Sequence, residues 1–262
     1  MTTIFQKLNT LNHKCALIPF ITAGDPDLIS TEKALKILDK EGADIIEIGL
    51  PYSDPLADGP IIQEASKKAL IAGVTLDKLL DLLTNLNLNA PIILFTYYNP
   101  MLARGINRFL ADVSRAGIKG LIVPDLPLEE ADYIIDRCIN FSLELILLIT
   151  PVSSSNRITK ILQKSQGVIY IVSSTGVTGL RKEINKEMKG FIQKIRSESN
   201  SLLILGFGIS TENHVKCVLD WNINGIVIGS AFVRCLSSQN KIEGLCQLKK
   251  FCALINDILV SN

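Results

Sequence analysis

The sequence predicts an α/β chain folded as a (β/α)8 barrel, and three observations carry that expectation. Eight short apolar segments recur along the 262 residues, at 16–23, 44–49, 91–96, 120–123, 144–149, 167–172, 202–206 and 225–228. Helical patterns lie between them, for example Leu76, Leu79, Leu80, Leu83 and Leu86 at spacings of three and four. The segments are continuously apolar rather than alternating, as parallel strands covered on both faces are. Eight strand–helix units within about 250 residues match the length of such a barrel. A doubly wound open sheet is the other arrangement the count allows. No linker or composition shift divides the chain, so a single domain over 1–262 is expected.

Taken in order, the chain opens with Ile4, Phe5, Leu8 and Leu11, the spacing of a short amphipathic helix before the first strand. This start lacks the basic and then apolar character of a secretion signal. The second strand holds a carboxylate, Glu47, among isoleucines, and burying an ionised acid is costly unless it is paired or protonated. Ile45, Glu47 and Gly49 share one face, so Glu47 can point into a barrel near its C-terminal mouth. There apolar surroundings raise a carboxyl pKa and suit it to proton transfer. The competing reading is a structural acid paired with a buried Lys or Arg.

A proline-stiffened loop follows, carrying Asp54 and Asp58 between Pro51, Pro55 and Pro60. A fixed carboxylate at Asp58 suits holding positive charge or a ring N–H, although Asp before Gly is also an ordinary turn residue. The intervals after the second and sixth strands are the longest, and the region near 61–72 reads as an extra helix. Both long loops leave strand C-terminal ends, where barrels build active sites. The sixth contains Gly176-Val-Thr-Gly179, a candidate lid.

Glycines follow the seventh and eighth strands, in Gly206-Phe-Gly208 and Gly229-Ser230. Barrels often bind phosphate with these two loops and a short extra helix, which the run 230–236 can supply. A glycine after a strand is otherwise just a turn. Phe20, Phe95, Tyr170 and Phe207 are strand or strand-end aromatics that either wall a pocket for a flat ring or fill the core.

Composition excludes several classes. A net charge of +1 gives no general field for nucleic acid or an acidic membrane surface. No apolar run approaches the roughly 20 residues of a membrane span. The six cysteines and two histidines are scattered without ligand spacing, which disfavours a metal site and suits free thiols in a reducing compartment. No Gly-x-Gly-x-x-Gly fingerprint for a dinucleotide occurs. Richness in Ile, Lys and Asn points to an AT-rich genome, and so to a bacterial cytoplasm or a plastid stroma.

The runs PFITAGDP (19–26) and EIGLPYSDPLADGP (47–60) resemble the two signature stretches of the tryptophan synthase alpha chain family. YYNP (97–100), PDLP (124–127), YIVSSTGVTG (170–179), GFGIS (206–210) and Gly229-Ser230 match further family positions in order. The resemblance implies a (β/α)8 TIM barrel and a lyase that cleaves indole-3-glycerol phosphate to indole and glyceraldehyde 3-phosphate, in tryptophan biosynthesis. It implies Glu47 and Asp58 as catalytic residues and Phe20, Tyr170, Thr178, Gly179, Phe207, Gly208, Gly229 and Ser230 as substrate-binding residues. It places Asp54, Asn99 and Pro127 toward a beta chain, in an alpha2-beta2 heterotetramer. Pyridoxal phosphate is then expected only in that partner, with no cofactor in this chain. Tyr52 and Ser174 depart from residues that some members carry. A different phosphate-binding barrel enzyme, and a mainly regulatory subunit inactive without its partner, are the alternatives.

Overall fold

The computed structural model describes residues 2–172, 187–206 and 208–261. Helix α1 (Ile4–Asn9) precedes β1 (Ala16–Thr22), α2 (Leu28–Lys40), β2 (Ile46–Gly49), α3 (Pro60–Ile71), α4 (Leu76–Thr84) and β3 (Ile92–Phe95). Then come α5 (Tyr98–Arg104), α6 (Ile106–Arg115), β4 (Gly120–Ile122), α7 (Leu128–Asn140), β5 (Glu144–Leu145), β6 (Leu147–Ile149) and α8 (Ser155–Lys164). The chain continues with β7 (Val168–Val172), α9 (Glu187–Glu198), β8 (Leu202–Gly206), α10 (Glu212–Val218), β9 (Gly225–Ile228), α11 (Ser230–Leu236) and α12 (Lys241–Val260).

Every strand pairing is parallel, in the order β5-β4-β3-β2-β1-β9-β8-β7-β6. The two ends of that order, β5 and β6, flank Ile146 in one segment of chain, so the sheet curls round until it meets itself. The Ile146 N–H reaches Leu121 O at 2.9 Å and carries the pairing with β4 past the break. This is a TIM barrel, and the open-sheet alternative is excluded. The expected fifth strand at 144–149 is thus two pieces, one facing β4 and one facing β7. The expected strand at 44–49 starts at Ile46, and Asp44 instead accepts the Leu17 N–H on its carboxylate at 2.9 Å.

Side chains divide by strand alternation, as a pleated barrel wall requires. Ala16, Ile18 and Phe20 of β1 join Ile45, Ile93, Phe95, Ile122, Val168, Tyr170 and Ile204 inside the barrel. Leu17, Ile21, Ile46, Ile48, Leu94 and Leu121 point outward under the helices. Both faces are therefore dry, which is why the strands read as unbroken apolar runs.

The expected N-terminal helix packs into the inner cluster at the end where strands begin. Its Thr3 and Gln6 form a reciprocal cap, and Glu144, at the start of β5, accepts the Phe5 N–H at 3.0 Å. A carboxylate at a helix N-terminus is favoured by the helix dipole. Ile4 and Leu8 are buried with the inner-barrel residues, and a Cβ at Gly120 would lie only 3.0 Å from Ile4. Ile4→Ala is expected to cost about 2–5 kcal/mol in urea unfolding, the range for an emptied core site. An unchanged midpoint would mean that α1 lies outside the cooperative core.

Candidate active site

The opposite end of the barrel, where strands finish, gathers the polar groups. β2 presents Glu47 inward, in register with Phe20 on one side and Ile93 on the other. It is 1% exposed, and its Oε2 has no hydrogen-bond partner among the described residues. Burial first, and then the Asp58 charge, push its carboxyl up from 4.5 to about 8. A buried acid without a cation resolves its cost by keeping its proton.

Asp58 reaches the same site from the loop that follows. Turn hydrogen bonds at Leu56 N to Asp54 O and Asp58 N to Pro55 O shape that loop. Gly59 and Pro60 then start α3, proline at the first helical position being suited by its fixed φ. Gln63 of α3 donates to Asp58 O at 2.9 Å and ties the backbone down. Burial raises the Asp58 carboxyl to about 6, and a hydrogen bond from the Tyr97 hydroxyl works against that rise. At neutral pH the pair is therefore split, with Glu47 protonated and Asp58 ionised.

Two aromatic rings pack beside these acids. Phe20 lies edge-on to Phe95 at 5.9 Å, and a Cβ at Gly49 would sit 2.6 Å from its ring. Tyr170 feels the charge of both Glu47 and Asp58, and a Cβ at Gly206 would fall 1.9 Å from its hydroxyl oxygen. Gly49 and Gly206 are thus places where only a missing side chain admits the ring. Gly229 also sits against Phe20, with 3.5 Å between the ring and a Cβ built there.

Gly208 adopts φ +94, a conformation that glycine takes freely. Gly229 caps α11, whose first residue is Ser230, so the expected short helix occupies the expected residues. Thr178, Gly179, Phe207 and Ser174 lie outside the described residues, as does most of the long sixth loop. Asp54, Asn99 and Pro127 are exposed, Asp54 on the loop after β2, Asn99 in the first turn of α5 after β3, and Pro127 on the loop after β4 at the start of α7. They share the mouth end of the barrel with the acids but are not buried beside them. An open groove of about 480 Å³ lies at this end, walled by Leu56, Ala57, Leu126, Leu148, Val152 and Val172.

Tyr97 is the residue that the sequence reasoning did not place in the site. It is 1% exposed, its hydroxyl accepts the Ala57 N–H at 3.1 Å, and it donates to Asp58. Its position at the C-terminal end of the third strand was the available signal. Of the six cysteines, Cys15, Cys138 and Cys252 are buried, and burial pushes their thiols up to about 12, which leaves them as inert packing groups.

A family model described as tryptophan synthase alpha chain matches residues 5–259. The tryptophan synthase alpha chain of Pyropia yezoensis is 54% identical over 263 residues, covering 100% of both chains. This chain belongs to the tryptophan synthase alpha chain family. Solved structures agree. A tryptophan synthase from Mycobacterium tuberculosis matches at TM-score 0.89 with 29% identity, over 99% of each chain. The a2b2 complex of tryptophan synthase from Pyrococcus furiosus matches at TM-score 0.85 with 32% identity, over 96% of this chain and 100% of that one. As a member of the tryptophan synthase alpha chain family, the protein is a lyase of tryptophan biosynthesis that catalyses the cleavage of indole-3-glycerol phosphate.

The Glu47 environment has a measurable cost. Between pH 4.5 and about 8 the folded protein holds a proton on Glu47 that the unfolded chain releases. Stability therefore falls as pH rises through that window. Glu47→Gln cannot ionise, so its stability relative to the parent is expected to grow from about pH 4.5 to about pH 8, read from urea midpoints at each pH. A constant difference across the window would show that Glu47 is not held neutral.

Proposed function

We propose that Glu47 and Asp58 carry the cleavage as a proton-transferring acid and a fixed anion. The observation supporting this is the pair of buried carboxyls at the barrel mouth, Glu47 with an unpartnered oxygen among the described residues and Asp58 on the following loop, where burial raises both and Glu47 further. The indole C3 of the substrate is joined to the glycerol carbon that bears a hydroxyl. Protonated Glu47 gives its proton to C3, which makes the ring an indolenine cation. Glu47, now a carboxylate, takes the proton of that hydroxyl. The C–C bond breaks, its electron pair returns to the ring, and the glycerol carbon becomes the aldehyde of glyceraldehyde 3-phosphate. Glu47 ends as it began, and no net proton is consumed.

Ionised Asp58 accepts the ring N–H and offsets the positive charge that develops there. Phe20 and Tyr170 flank the ring and keep water away. By the family resemblance Gly179, Gly208, Gly229 and Ser230 hold the phosphate, and Thr178 and Phe207 belong with Phe20 and Tyr170 around the substrate or its closing loop. The phosphate is a remote handle whose binding orients the indole between the two acids. The scheme uses the chain's own side chains, and pyridoxal phosphate belongs to the partner.

That partner is a tryptophan synthase beta chain in an alpha2-beta2 assembly, a reading supported by the complex formed by the Pyrococcus furiosus relative. Asp54, Asn99 and Pro127 are the contacts we assign to it, being exposed at the mouth. The 262 residues act as one barrel domain. Red algal and cyanobacterial relatives support a plastid stroma or a bacterial cytoplasm as its setting. No helix among the described residues is long and apolar enough to cross a membrane.

Glu47→Gln and Asp58→Asn are each expected to lower indole release from indole-3-glycerol phosphate at least ~100-fold, the low end for general acid–base groups. Folding of both variants is checked by circular dichroism. Near-parental turnover in either would sink its assignment. The assay is run on the chain alone and again with a beta chain, which separates an intrinsic activity from one that the partner must switch on. The parent's kcat/KM should form a bell with limbs near about 6 and about 8, set by Asp58 and Glu47. A flat profile between about pH 5 and about pH 9 is the contrary result.

A further inference from the structure

The reaction scheme asks Asp58 to be ionised in a place where burial opposes charge. Around it, Glu47 faces it from β2 and Tyr170 from β7, and both are groups whose own ionisation its charge disfavours. Gln63 of α3 bonds its backbone oxygen, not its carboxylate. Among the described residues, Tyr97 is the group that favours the ionised form. Burial first, then the Asp58 charge and last that of Asp125 on the loop after β4, disfavour ionisation of Tyr97, so the phenol keeps its proton.

The geometry of Tyr97 suits one task. A phenol has one proton to give and lone pairs to receive. The Tyr97 oxygen accepts from Ala57 N at 3.1 Å, which sets the hydroxyl proton beside the next residue of the same loop, Asp58, whose carboxyl it holds down against the effect of burial. Its ring cannot swing away easily. Tyr52 stacks on it at 5.0 Å and 27°, and Phe95 meets it edge-on at 6.0 Å and 82°. The Tyr52 hydroxyl in turn accepts from Asn99 Nδ2 at 3.3 Å, so the stack is anchored at the exposed rim.

We propose that Tyr97 is a positioning residue of the cleavage reaction, its hydroxyl clamping the Ala57–Asp58 turn and holding the Asp58 carboxylate ionised toward the substrate. This rests on the role given to Asp58 above. Tyr97 touches the aspartate and not the reacting atoms, so its influence is felt through the place and protonation of that carboxylate. Removing the hydroxyl while keeping the ring leaves both aromatic contacts intact and deletes only the clamp.

Tyr97→Phe tests this, with the kcat/KM profile for indole release measured against pH. The acid limb is expected to move up by about 1 pH unit, the effect of one lost hydrogen bond to a carboxylate, while the limb set by Glu47 stays in place. Incorporating 3,5-difluorotyrosine at Tyr97 keeps the shape and strengthens the donor, so it should move the acid limb down. That second protein also tests the proposal should Tyr97→Phe fail to fold. Opposite shifts from two near-isosteric changes are not produced by a residue that merely fills space. An acid limb unmoved in a folded variant, with Asp58→Asn inactive, overturns the positioning role and spares that of Asp58. An unmoved limb with Asp58→Asn active removes the reading on which this one rests.

Discussion

Glu47 and Asp58 share a mouth from which apolar side chains exclude water, and two charges so placed repel while neither is well solvated. The surroundings resolve the conflict by treating the two acids differently. Glu47 sits on a strand between Phe20 and Ile93, and one of its oxygens has no partner among the described residues. Asp58 sits on a loop, where a tyrosine hydroxyl can reach it and a helix start fixes its backbone. Strand against loop, apolar walls against a donor: those contrasts set which acid keeps the proton. The barrel supplies the dryness and the β2–α3 loop supplies the asymmetry.

Dryness in turn depends on where side chains are absent. Phe20 and Tyr170 are large, and each overlies backbone that a methyl group would already obstruct, at Gly49 and Gly206. These two glycines stand on the strand ends facing the acids, so they serve the site as space. Had either carried a side chain, the ring above it would be displaced.

Much of this was legible from residue order alone. Continuous apolar runs announced parallel strands buried on both faces, and a carboxylate among isoleucines marked Glu47 because burying charge is costly. The short helix at 230–236 followed from its place after the last strand. Other features were not legible, for reasons that are physical. The break at Ile146 leaves no trace in an apolar run, since it reflects how two neighbouring strands diverge. Tyr97 meets Ala57 across 40 residues, and only the fold brings a phenol from one strand end onto the loop of another. Gly206 read as part of an anion loop, while the structure adds a packing reason for its missing side chain. The lid residues Thr178 and Gly179 rest on resemblance.

The break at Ile146 has a bearing on how the site comes into being. Strands up to β5 each pair with a neighbour close in sequence, and so do those from β6 onward. Within the sheet the two arcs of strands join where β1 pairs with β9 and where Ile146 bridges, and the first of these links is drawn from opposite ends of the chain. Glu47, Asp58 and Tyr97 all belong to the first arc, whereas Tyr170 and the glycines proposed to hold phosphate belong to the second. Neither arc alone holds both the residues proposed for the proton chemistry and those proposed to grip the substrate. Non-local closure is the entropically expensive step in assembling such a ring, so catalytic competence in this protein reports that the ring has shut.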